Sequence, residues 1–321
     1  MSKYLESRQG SVDFISMLLL SVFLNYRLAM KEKPSSYFKF VSSERKDILK
    51  NGCIRFSPIG EFNDPFELEP IITPLSRDFL ESIHHYSERE IENIKLSKED
   101  MDFSSERELQ LEEYQKIYRE KVSRYGVLSL TSNINVNPLL SVCIPEKKDP
   151  RSNILMWSHY ANSHRGFVIE FDPDFIPNIE IEKVKYCTNR GRLTFEDIDD
   201  NNFQQIFFNK SEEWGYEQEY RVVLPLSEVS RIVDDKYHLF KFNKKSIKSI
   251  TFGCAMNEGK KQEIIDLIER DDEFSGVNFN HALLNDDDFC LQFYHTIGTW
   301  TNHPSPFGYK NFRFIPKQKR M

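Results

Sequence analysis

Cysteine is sparse in this sequence and nowhere paired. Cys53, Cys143, Cys187, Cys254 and Cys290 are dispersed, with no C-x-x-C among them. That pattern excludes a zinc ribbon or a disulfide framework and fits free thiols in a reducing compartment. Bilayer-length apolar runs are missing too. Residues 14–24, FISMLLLSVFL, fall short of the roughly 20 apolar residues a membrane helix needs. Glu6 and Asp13 precede that run and no A-x-A site follows, so it does not read as a signal peptide. The expectation is a cytoplasmic chain with no membrane partner. No GxGxxG, Walker loop, HExxH or GxSxG occurs, which disfavours Rossmann dehydrogenase, kinase, zincin and α/β-hydrolase chemistry. Repeats and low-complexity linkers are absent, so a solenoid or propeller is not expected. Cationic excess is also lacking. Lys and Arg number 43 against 50 Asp and Glu, a net charge of −7. General nucleic-acid binding is therefore not expected.

What is present is enough apolar residue to bury a core. Hydrophobic residues are 39% and charged residues 29%, with 26 Phe and 14 Tyr, so the core is expected to be rich in aromatics. Residues 1–29 read either as an N-terminal helix or as an extension upstream of a start at Met30. Strands are expected at 37–41, 53–57, 127–131, 167–171, 184–186, 217–224, 247–252 and 289–294. Helices are expected at 42–51, 153–161, 197–214 and 257–270, the last with a capping-type start. Residues 75–124 are highly charged, with apolar residues at helical spacing, and read as a helical insertion. Short strands without regular βαβ alternation predict an α+β fold, with one mixed or mainly antiparallel sheet. No Pro/Gly-rich linker divides the chain, so residues 30–321 read as one domain.

Four features could carry chemistry. The segment 156–166, MWSHYANSHRG, gathers Trp157, His159, Tyr160, His164 and Arg165. Histidine can act as acid, base or ligand near neutral pH. The same residues also read as core, with Trp157 and Tyr160 buried and His159 hydrogen-bonded. No carboxylate stands at ligand spacing, so no metal is expected. The second feature is YEQEYR, 216–221. Read as a strand, it puts Glu217, Glu219 and Arg221 on one face. Two adjacent carboxylates repel, which raises the pKa of one and lets them divide roles. The third is Arg55 in the apolar strand CIRFS. It needs an anion: Glu67, Glu217 or Glu219, or a ligand phosphate. The fourth is the turn Asn63-Asp64-Pro65, whose side chains could line a site beside Arg55.

Several ordered segments resemble a bacterial family, domain of unknown function 2971: NGCIRFSPIGEFNDPFE, VLSLT, ILMWSHYANSHRGFVIEFD, VKYCTNRGRL, WGYEQEYRVV and IKSITFGCAM. The resemblance runs from about Tyr37 to about Ile268 and implies a role in a defence or toxin system. A second resemblance is to arginine-type ADP-ribosyltransferases, which carry an Arg on an early strand, a Ser-Thr-Ser-like strand and Glu-x-Glu. Here the order is Arg55, then Ser129-Leu130-Thr131-Ser132, then Glu217-Gln218-Glu219. That likeness implies NAD as the small-molecule nucleotide substrate and a macromolecular acceptor. Arg55 would hold the pyrophosphate and Ser129 would order the site. Glu219 would support the oxocarbenium-like transition state and Glu217 would orient the acceptor. Tyr160 or Trp157 is of the right type to stack on nicotinamide. The rival readings are a non-enzymatic sensor or interaction module, and a metal-dependent hydrolase or nuclease using Asp64, Glu67, His159 and Glu217.

Overall fold

The computed structural model describes residues 34–74, 105–132, 149–234, 236–274, 276–295, 298–304 and 310–316. Of 105–107 and of everything from 298 onward it describes only the backbone. The expectations for the N-terminal run, for 75–104 and for the loop at 133–148 that holds Cys143 lie outside the described residues.

The order along the chain begins with β1 (Tyr37–Val41), α1 (Asp47–Asn51), β2 (Cys53–Pro58), β3 (Ile71–Thr73), α2 (Ser105–Val122) and β4 (Tyr125–Ser132). Next come α3 (Ile154–Tyr160), β5 (Phe167–Phe171), β6 (Glu182–Lys183), β7 (Lys185–Cys187), β8 (Arg192–Thr194), α4 (Phe195–Asp199) and β9 (Asn209–Ser211). Then follow β10 (Glu219–Pro225), β11 (Arg231–Val233), β12 (Tyr237–Lys241), β13 (Ile247–Phe252), α5 (Glu258–Glu269), β14 (Asn278–Leu284) and β15 (Leu291–His295). A hairpin of β16 (Gly298–Pro304) and β17 (Lys310–Pro316) closes the series. This is an α+β fold. Its main sheet runs β11-β12-β2-β4-β1-β5-β13-β14-β15, with β10 joining β4 and β6, and it is antiparallel except where β13 meets β14.

Strand alternation sorts the core to the two faces of this sheet. Tyr37 and Val41 of β1 join Ile54, Phe56, Leu128, Phe171 and Val222 on one face, where α5 contributes Ile264 and Ile268. Phe38 and Phe40 point the other way and meet Met156, Trp157 and Ala161 of α3 and its C-cap. Asn153 caps α3, its side chain accepting from the Leu155 amide at 3.0 Å. A third cluster packs Tyr118 and Val122 of α2 on Leu193, Ile198 and Phe203.

Several expected elements differ. The helix expected at 197–214 stops at Asp199. A Thr194–Asp197 capping box starts it, but Asn201 then turns left-handed at φ 57°. The chain continues through a 3₁₀ turn at 204–208 into β9, which pairs in parallel with β7. The strand expected from Glu217 begins at Glu219. Glu217 ends a 3₁₀ segment, and Gln218 is left-handed at φ 46°. At the C-terminal end, β15 starts at Leu291 and Phe289 is fully exposed.

The ANSHRG segment is a tight turn. Asn162, Ser163 and His164 all have positive φ. Gly166 follows, and a Cβ there would stand 2.1 Å from the Val41 carbonyl oxygen. That oxygen and the Ala161 carbonyl oxygen at 2.9 Å are backbone and cannot swing aside, so only glycine fits. Gly166→Ala is expected to destabilise the fold by about 1–3 kcal/mol or more. A urea denaturation midpoint equal to wild type would contradict this packing.

Candidate functional site

One edge of β4 is divided between two strands. Its N-terminal end pairs with β2, Val127 opposite Ser57 and Gly126 opposite Pro58. Its C-terminal end pairs with β1, Ser132 opposite Tyr37 and Thr131 opposite Phe38. The other edge pairs with β10 from Tyr125 to Thr131. Among the described residues, nothing pairs with the divided edge at Leu128–Leu130. A cavity of about 190 Å³ opens there. Lys39, Ser57, Ser129 and Leu130 line it from the three strands around the gap. Phe62, Asn63, Asp64 and Glu67 close it from the loop after β2, and Tyr160, Lys210, Trp214, Glu217 and Glu219 from the opposite wall.

That wall holds a buried charge cluster. Lys210 Nζ lies 2.7 Å from Glu217 Oε2, 3.0 Å from Glu219 Oε2 and 3.6 Å from Glu67 Oε2. Arg221 is fully buried. Its Nε donates to Glu219 Oε1 at 2.8 Å, its Nη1 to the Phe207 carbonyl at 2.6 Å, and its Nη2 to Glu67 Oε1. Three carboxylates thus face two cations within ion-pair distance. The Tyr160 hydroxyl donates to Glu217 Oε1 at 2.5 Å. The Glu219 amide is anchored separately, donating to the Tyr186 hydroxyl at 2.8 Å. Trp214 lies against the Lys210 ammonium, 5.0 Å from ring centre to nitrogen.

Burial acts on every ionisable group here. It raises the Glu219 carboxyl above its ordinary range, against Lys210 and a Ser129 hydrogen bond, with Glu217 adding to the rise. Burial also works to lower Lys210, but Glu219 and Glu217 outweigh it and the ammonium ends up raised. Tyr160 is raised by burial and then by Glu217, so it stays a neutral donor. Burial pulls Arg221 downward and Asp64 opposes it. A guanidinium still remains charged at any working pH.

The structure brings together Glu217, Glu219, Ser129, Tyr160, Asn63 and Asp64 around this cavity, and separates the other expected residues from it. Arg55 does not line it. Its guanidinium pairs with Glu61 and lies over the Tyr237 ring, 4.6 Å from the centroid, so the partners expected for it are taken by Lys210 and Arg221 instead. Trp157 is wholly buried in the core, its Nε1 donating to the Arg151 carbonyl at 2.6 Å, and cannot stack on a ligand. His159 is exposed on α3, 6.3 Å from the Tyr216 ring. His164 sits in the turn after α3, its Nε2 3.3 Å from Ser158 Oγ. Glu217 and Glu219 do meet on one side, but through the left-handed kink at Gln218 and not by strand alternation. Among the described residues no group of three or more His, Cys, Asp or Glu is arranged to hold a metal ion. Nor is any helix there long and apolar enough to cross a membrane.

Sequence reasoning missed Lys210, Lys39 and Tyr186. A lysine seven residues before Glu217 carries no periodic signal. Lys39 did carry one: a cation in the apolar strand YFKFV invites the same question as Arg55 in CIRFS.

Residues 156–222 match the family model described as protein of unknown function (DUF2971). The family reading made from the sequence holds over this span. The matched segment runs from α3 to β10 and supplies Tyr160, Lys210, Trp214, Glu217, Glu219 and Arg221. No curated protein and no solved structure matches the chain.

The cluster is expected to respond asymmetrically to substitution. Arg221→Met leaves Glu67 and Glu219 buried without their main cation, and a cost of about 3–5 kcal/mol is expected. Arg221→Lys keeps the charge, loses the fork that reaches two carboxylates, and should fall between. Chemical denaturation of both variants checks the order. A mild Arg221→Met would show that the cluster is not dry.

Proposed function

We propose that the gap cavity binds the nicotinamide–ribose end of NAD and that the protein is an ADP-ribosyltransferase-like enzyme of the cytoplasm. One observation carries this reading: a buried cluster of three carboxylates and two cations forms the wall of a small cavity that also holds Trp214, Phe62 and Tyr160. Glycosyl transfer develops positive charge at the anomeric carbon. Fixed negative charge in a site shielded from water stabilises that transition state without reorganising. In the step proposed, the bond between ribose C1′ and the nicotinamide ring nitrogen breaks. Its electron pair goes to the ring, and neutral nicotinamide leaves. Glu219 faces the sugar carbon, the acceptor's nucleophile bonds to C1′, and its proton passes to Glu217, which Tyr160 orients.

Arg55 is not carried into this proposal as the pyrophosphate ligand, because Glu61 already pairs with it. The reading therefore rests on Glu219, Glu217, Tyr160 and Ser129. A place in a defence or toxin system follows from the family resemblance alone.

A second reading has an observation of its own. Both oxygens of Glu67, Glu217 and Glu219 already hold hydrogen-bond or ion-pair partners. That suits a binding module that recognises a ligand without turning it over.

Nicotinamide release from NAD by the purified chain separates the two. Turnover is expected, with Glu219→Gln slower by on the order of a hundredfold. Tyr160→Phe, which keeps the packing, should cost roughly tenfold. Undiminished turnover in Glu219→Gln would remove the assigned mechanism. A rise in melting temperature with NAD but no nicotinamide would favour the binding module.

A further inference from the structure

The gap cavity contains two lysines in opposite circumstances. Lys210 has three carboxylates within ion-pair reach and is locked as an ammonium. Lys39 comes from β1 on the other side of the gap. Its Nζ donates one hydrogen bond, to the Ser129 carbonyl at 2.7 Å, where β4 lacks a strand partner on that edge. Among the described residues no carboxylate forms an ion pair with it. The groups that face it are Glu219 and Glu217 from the charge cluster and Arg45 from the turn after β1. A single carbonyl orients the amine and leaves the remainder of the nitrogen turned to the cavity.

We propose that Lys39 is a nucleophilic amine that captures the carbonyl carbon of a small aldehyde or ketone in the gap cavity, forming an imine. The neutral amine's lone pair bonds to the carbonyl carbon, and the C=O π pair moves to oxygen. One proton leaves nitrogen and one reaches that oxygen, giving a carbinolamine. A second proton on the oxygen lets water depart with the C–O bonding pair, the nitrogen lone pair closes the C=N bond, and the proton left on nitrogen then departs, replacing the one spent on the oxygen. The balance is amine plus carbonyl to imine plus one water, with nothing oxidised or reduced. Glu217 and Glu219 line the same cavity and carry the protons. Attack needs the unprotonated amine, and burial brings Lys39 down to about 8, Glu219 and Glu217 opposing and Arg45 adding to the fall.

The rival account is that Lys39 only wedges the gap and satisfies the Ser129 carbonyl. Reductive trapping tells the two apart. The full-length chain is incubated briefly with glycolaldehyde and sodium cyanoborohydride from pH 6 to pH 10, and every lysine is quantified by peptide mass spectrometry. At neutral pH Lys39 is expected to be alkylated roughly tenfold faster than the exposed Lys50 and Lys236. Its rate should level off above about pH 8. Alkylation of Lys39 no faster than that of Lys50 and Lys236 overturns the proposal. The result is separable from the NAD reading. A chain that traps the aldehyde but releases no nicotinamide keeps this inference and loses the other. A chain that consumes NAD with a slow Lys39 does the reverse.

Discussion

Arg221 is the constraint on which the site depends. A fully buried guanidinium must be neutralised and hydrogen-bonded at once, and no single neighbour can do both. Here Glu219 is two residues away on the same strand, Glu67 comes from the loop after β2, and the Phe207 carbonyl comes from the 3₁₀ turn before β9. Three segments distant in sequence are held to one atom group. Lys210 then balances what Arg221 leaves over, bridging Glu67, Glu219 and Glu217. Through Glu217 the cluster reaches Tyr160 and so α3. Asn153 ties the same helix back from its other end, donating to the Tyr216 carbonyl at 2.7 Å. The cavity wall is therefore one continuous polar network, anchored in strand β10.

The second constraint is the divided edge of β4. A central strand ordinarily satisfies its backbone along both edges. Here β2 and β1 take opposite ends of one edge, and the middle is served by the side chain of Lys39. A recess at the middle of a sheet is framed by strands that hold its lining side chains in place, a condition under which placed charges act strongly. The gap and the charge cluster sit side by side because β10, which carries Glu219 and Arg221, pairs with the intact edge of the same strand.

The elements that could be read from sequence were those whose own pattern decides them. Phe167–Phe171 and Ile247–Phe252 are short apolar runs bounded by turn residues, and both are strands with those bounds. Asn257 announced the last helix through its cap. The stretch from 200 to 218 could not be read that way. Its aromatic residues are spaced loosely enough for a helix, and it is the burial of Phe203, Ile206 and Phe207 against α2 and β8 that sets its path. The kink at Gln218 has the same character: a non-glycine residue with positive φ leaves no compositional mark. At the site, the Glu217–Glu219 pair and Arg221 were visible as a motif but Lys210 was not. Ion pairing among Glu67, Lys210 and Arg221 spans more than 140 positions and is a property of the fold. Arg55 misled for the opposite reason. Its need for an anion was read correctly, but a nearer carboxylate, Glu61, met it.

The charge cluster is itself an argument about function. Apolar residues of similar volume would often hold such segments together as well as buried ions do, and sometimes better. Stability alone is thus a weak reason for three carboxylates and two cations to lie together out of water. A cluster that served only to join segments would need no cavity and would gain nothing from an unbalanced charge. This one has both: the carboxylates exceed the cations by one, and Glu217, Glu219 and Glu67 open onto the recess instead of being sealed behind it. Glu219 also lies above its ordinary pKa through burial, a cost the fold carries with no packing benefit in return. Groups held in costly states around a recess are the usual sign that the arrangement serves a bound molecule. The same coupling limits how the site can change. Because Lys210, Arg221, Glu67 and Glu219 each answer at least two other charges, removing one strands its partners, and paired substitutions are the way to alter the recess while keeping the wall intact.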